Sequence, residues 1–119
     1  MIAEALRRSP LADYRELFVA LSTASRGKLD IRELPYLAHV NFRTDPVEAS
    51  AMHRLASSLD FALPVVPNTV ASQDDRRALW LGPDEWLIVG PEDQRRALIQ
   101  ALRDGLGGAF GSIVDVSAH

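Results

Sequence analysis

The segment from Leu79 to Val89 constrains the fold most. Two apolar runs, Leu79-Trp80-Leu81 and Trp86-Leu87-Ile88-Val89, flank the connection Gly82-Pro83-Asp84-Glu85. Short runs rich in aromatic and branched side chains favour strands, and Gly-Pro-Asp between them favours a turn. The segment therefore predicts a hairpin in which two central strands of a sheet meet. It holds no nucleophile, metal-ligand cluster or phosphate loop.

The remaining elements follow from periodicity. Over residues 9–25, Ser9-Pro10 predicts a helix start, and Leu11, Tyr14, Phe18 and Leu21 recur at helical spacing, with Gly27 to close the helix. Residues 36–43 alternate Ala38, Val40 and Phe42 with His39, Asn41 and Arg43, the pattern of a half-buried strand. Asp45-Pro46-Val47-Glu48 predicts the next helix, with Asp45 as cap, Glu48 reaching back, and Ala49, Met52, Ala56 and Leu59 as its stripe. Prolines 64 and 67 make residues 60–69 a loop. Thr69 to Ser72 reads as a short strand and Gln73 to Arg77 as a polar turn, followed by strands over Ala78 to Leu81 and Trp86 to Val89. Gly90-Pro91-Glu92-Asp93 opens the last helix, whose face is Leu98, Ile99, Leu102 and Leu106 and whose end is Gly105, Gly107 and Gly108. Residues 112–117 form a final strand.

From Tyr36 the order is strand, helix, strand, strand, helix, strand. That is the ferredoxin-like βαββαβ pattern of an α+β domain, an antiparallel sheet with helices on one face. An extra N-terminal helix precedes it, so residues 1–30 read as a helical arm and 31–119 as a single domain. The arm either packs on its own domain, the reading we favour, or docks on another protein.

Size and composition bound the function. At 119 residues, with 47% hydrophobic and 24% charged residues, the chain suits one globular domain with a real core. The net charge of −3, with arginines in the dispersed pairs Arg7-Arg8, Arg76-Arg77 and Arg95-Arg96, argues against nucleic acid and anionic membranes as partners. No apolar run approaches the roughly 20 residues of a membrane span, and the N-terminus shows no secretory signal. The absence of cysteine excludes disulfides, thiolate catalysis and Cys-based zinc sites, and fits a cytoplasmic protein.

Each chemical candidate has a plainer reading. His39, His53 and His119 lack metal-ligand spacing. Asp84 and Glu85 are adjacent carboxylates in a turn, where acid–base catalysis wants two carboxyls set apart across a pocket. Trp80 and Trp86 suit core, interface or the stacking of a flat ligand, in that order. Asp115-Val116-Ser117 has triad composition but no histidine placed to activate the serine. Gly105-Leu106-Gly107-Gly108 ends a helix, so it is not a phosphate cradle. No residue is assigned a catalytic, cofactor-binding or metal-binding role.

Several stretches, taken in order, carry a resemblance. They are Ser9-Pro10-Leu11, Arg32 to Arg43 (RELPYLAHVNFR), Pro67 to Ala71 (PNTVA), Leu79 to Leu87 (LWLGPDEWL) and Val114 to Ala118 (VDVSA). Together they resemble the gamma subunit of heterotetrameric sarcosine oxidase, a family similar to the folate-binding fold of the aminomethyltransferase. The Leu79–Leu87 block is the most specific of them. The resemblance implies an accessory subunit of an oxidoreductase complex that demethylates sarcosine with tetrahydrofolate as one-carbon acceptor. It implies larger partner subunits that hold FAD, FMN, NAD and tetrahydrofolate, with no cofactor bound by this chain and no active site of its own. Members of that family run on past the DVSA-type strand, so this chain reads either as the N-terminal half of a longer fold or as a short paralogue. The alternative is a free-standing module that binds a folate-like small molecule.

Overall fold

The computed structural model describes residues 8–117. The chain divides into two compact units, Met1–Pro35 and Tyr36–His119.

In the first unit, a 3-10 turn over Ala12–Tyr14 leads into α1, Arg15–Ala24. The helix thus starts after the position to which Ser9-Pro10 pointed. The Ser9 and Leu11 carbonyls accept the N–H groups of Ala12 and Tyr14, three residues on, so the lead-in winds as tight turns. Tyr14 and Phe18 stack one helical turn apart with ring centroids at 6.4 Å. Gly27 closes the helix as its position implied. Its φ is +78° and its N–H donates to the Ser22 carbonyl at 2.9 Å.

The second unit is an α+β domain with a five-stranded, fully antiparallel sheet. The strands are β1 (Leu37–Thr44), β2 (Val70–Gln73), β3 (Arg76–Gly82), β4 (Glu85–Pro91) and β5 (Gly111–Asp115), in the order β2-β3-β4-β1-β5. Helix α2 (Ala49–Leu59) follows β1, and α3 (Arg95–Leu106), after a 3-10 turn over Glu92–Gln94, follows β4. The expected hairpin is present: Trp80 lies opposite Trp86 and Gly82 opposite Glu85, with Pro83-Asp84 as the turn. A bulge at Leu81 shifts the register there, which leaves that leucine 49% exposed.

One core holds the unit together. Ala38, Val40 and Phe42 of β1, Ala78 of β3, and Trp86 and Ile88 of β4 pack with Leu55 and Leu59 of α2 and Leu98, Leu102 and Leu106 of α3. Both helices therefore lie on the face to which these alternate strand residues point. Trp86 is 0% exposed, tilts against Phe42 at a centroid distance of 6.1 Å, and donates its indole N–H to the Pro64 carbonyl at 2.7 Å. That bond fastens the proline-containing loop over the core and satisfies the one polar atom of the ring.

Three local expectations need correction. Asp45 does not cap α2: its Oδ1 accepts the Val47 N–H at 3.0 Å, an Asx turn, and the helix begins at Ala49 with no side-chain cap. The stripe of α2 is Ala51, Leu55 and Leu59, with Met52 beside it, because the larger Leu55 sets the inward direction. Gly105 does not end α3. It is buried inside the helix, where an added Cβ would stand 2.8 Å from Leu55 Cα of α2. Only a glycine allows the two helices to approach so closely. Gly107, at φ +59°, ends α3 instead.

Candidate functional site

Asp84 and Glu85 leave the hairpin turn in different directions. Glu85 points along the sheet face away from the helices, where the Asn41 amide donates to its Oε2 at 2.8 Å. Asp84 sits at the turn, where Arg43 Nη2 approaches its Oδ1 at 3.4 Å, and its carbonyl accepts the Thr44 N–H at 3.1 Å. The two carboxylates have separate partners and share no pocket. Asn41 and Arg43 fix the turn to β1, which accounts for both residues structurally.

Trp86 lies in the core, so neither an interface nor a stacked ligand can use its ring. Trp80, opposite it, is half-buried and packs against the same core. His39 is half-buried on the open sheet face, His53 is exposed on α2, and His119 lies outside the described residues. Among the described residues no group of three or more His, Cys, Asp or Glu could hold a metal ion.

Ser117 has a structural task. Its Oγ accepts the His39 N–H at 2.9 Å and donates to the His39 carbonyl at 3.3 Å. Its own N–H donates to Asp115 Oδ1 at 3.0 Å, and Val116 N–H donates to the His39 carbonyl at 2.8 Å. The serine thus extends the β1–β5 pairing past the end of the strand. Asp115 also faces Arg95 of α3 at 3.6 Å. Asp115 and Ser117 are close, but as a clip on a sheet edge rather than a nucleophile and its helper.

Two further surfaces of the second unit bear on contacts. The first is the sheet face opposite the helices. The register aligns Val70, Leu79, Leu87, Asn41 and Val114 in one row across all five strands. Four of the five are apolar, and the edge members Val70 and Val114 are 57% and 50% exposed. The row extends the apolar character of the core to the far side of the sheet.

The second surface is a basin of about 840 Å³ where β1 ends, the β3–β4 turn closes and the α3–β5 loop passes. Arg43, Asp45, Glu48, Asp84 and Phe110 line it. Phe110 is 96% exposed, the extreme among the large apolar side chains described. Sequence reasoning missed it. The available signal was an aromatic isolated among Gly107, Gly108 and Gly111, outside every periodic pattern.

In the first unit, a groove of about 360 Å³ lies between α1 and residues 30–35, lined by Leu11, Phe18, Val19, Ile31 and Pro35. The Leu11 N–H donates to Glu33 Oε2 across it at 3.0 Å. No helix among the described residues is long and apolar enough to cross a membrane.

Comparison with known proteins identifies the fold and lineage. Residues 41–119 match the family model described as "Sarcosine oxidase, gamma subunit family". The chain belongs to the sarcosine oxidase gamma subunit family. Within that family it is 39% identical over 116 residues to the sarcosine oxidase subunit gamma of Arthrobacter sp., covering 96% of this chain and 54% of the relative. It is 34% identical over 116 residues to the corresponding subunit of Corynebacterium sp. strain U-96, covering 96% of this chain and 55% of that one. Among solved structures, a chain of heterotetrameric sarcosine oxidase from Corynebacterium sp. U-96, in complex with pyrrole 2-carboxylate, superposes with a TM-score of 0.69 at 31% identity. That superposition covers 95% of this chain and 57% of the other. The chain thus spans about half the length of the relatives it matches.

Proposed function

We propose that this chain is a non-catalytic, gamma-type subunit of a heteromeric sarcosine oxidase and works by contact with larger subunits. The observation that carries the reading is the likeness, over 95% of the chain, to a chain of a heterotetrameric sarcosine oxidase. In this reading the complex demethylates sarcosine oxidatively, with tetrahydrofolate as one-carbon acceptor, in the cytoplasm. FAD, FMN, NAD and tetrahydrofolate belong to the larger subunits.

The arrangement of the second unit is ferredoxin-like, with β2 added at one edge of a βαββαβ core. In this reading the unit is one half of the longer family fold, preceded in sequence by the separate helical segment of the first unit. A free-standing folate-like binding module is the weaker reading, since Trp86 offers no exposed ring for stacking.

The test is co-expression of the tagged chain with the larger subunits of the enzyme from the same organism. Co-elution on size exclusion, with sarcosine turnover only in the fraction that holds all subunits, is the expected result. Sarcosine turnover by the isolated chain, or elution apart from the larger subunits, would overturn the proposal.

A further inference from the structure

A phenylalanine ring held in water needs a reason. Burial of such a side chain is strongly favourable, yet Phe110 is almost fully exposed. The loop that carries it is fixed from both sides. Thr44, buried at the end of β1, donates its hydroxyl to the Phe110 carbonyl at 2.9 Å. At Gly111 an added Cβ would stand 2.6 Å from the Arg43 carbonyl oxygen, so the loop lies directly against the β1 backbone. On the other side, the Ala109 N–H donates to the Leu106 carbonyl at 3.0 Å. The backbone on either side of Phe110 is therefore ordered before any partner arrives, which lowers the entropic cost of using the ring as a contact.

The surroundings give the contact a sign. The basin beside the ring is lined by the carboxylates of Asp45, Glu48 and Asp84 against one cation, Arg43, which already faces Asp84. Carboxylates around an exposed aromatic suit a cationic counterpart, since like charge is repelled and opposite charge speeds encounter.

We propose that Phe110 is an anchor by which this subunit docks on a partner subunit, its ring entering an apolar socket rimmed by Lys and Arg. The inference rests on the assembly reading above and names the surface that performs it. Aromatic anchors on ordered backbone, surrounded by polar residues, are where interface energy concentrates.

The experiment measures binding of the full chain to the larger sarcosine oxidase subunits by titration at low and high salt. It uses wild type, F110A, E48Q and V70A, the last on the opposite sheet edge. F110A is expected to bind about 30-fold more weakly with an unchanged melting temperature, because the ring touches no core. E48Q is expected to bind a few-fold more weakly at low salt only, and V70A within about twofold of wild type. Wild type that fails to bind would sink the assembly reading itself. Wild type that binds, with F110A within twofold of it or V70A equally impaired, would overturn the anchor alone. An F110A loss together with an E48Q that binds like wild type at every salt concentration would overturn the cationic rim.

Discussion

Trp86 shows how much one residue can hold. Its ring fills the centre of the core against Phe42, and its N–H fastens Pro64. Replacing it by Ala should destabilise the domain by about 3–5 kcal/mol, as large core truncations do. Replacing it by Phe keeps most of the volume but strands the Pro64 carbonyl, for about 1–3 kcal/mol. Urea denaturation of both variants should rank them in that order, and a Phe variant as stable as wild type would mean that the indole N–H contributes nothing. The residue was legible as an aromatic in a strand. Its choice between core and interface was not, because alternation fixes which residues share a face and not which face the helices cover.

Elements meet at points that no single element reveals. Helices α2 and α3 touch where Gly105 faces Leu55. An alanine normally favours a helix over glycine by about 1 kcal/mol. Here the added methyl would collide with backbone, so Gly105→Ala should destabilise by about 1–3 kcal/mol. A thermal melt that rises instead would show that the helices can separate freely. The glycine was read from sequence as a stop because glycine ends helices often, and only the neighbouring helix reveals its packing task. The β1–β5 pair makes a parallel case. Ser117→Ala removes the two hydrogen bonds to His39 and should cost about 1 kcal/mol, with faster amide exchange at His39. Unchanged exchange there would refute the clip.

At the scale of the whole molecule, every residue of the central core lies between Ala38 and Leu106, inside the second unit. Residues 36–119 expressed alone should therefore unfold cooperatively, with urea and thermal transitions that coincide for different probes. A broad, non-cooperative transition would show that the core needs the first unit. Residues 9–27 were legible as a helix with a glycine stop, although the 3-10 lead-in delayed its start. Strand β2 was found, but its partner β3 begins earlier than the polar turn implied, since Arg76 and Arg77 pair with Gln73 and Ser72 despite their charge. Cross-strand hydrogen bonding depends on the backbone, so charged side chains do not prevent the pairing.

The sequence by itself determined the class of fold, the central hairpin, the inward residues of β1 and α3, and the resemblance that led to the family. These are local: they depend on period, turn chemistry and short blocks of identical residues. The tertiary structure alone decided that Trp86 is core, that Ser117 clips a sheet edge, that Gly105 is a helix contact and that Phe110 stands in water. Each of those depends on what a distant segment places nearby, and distance along the chain hides that from any local pattern.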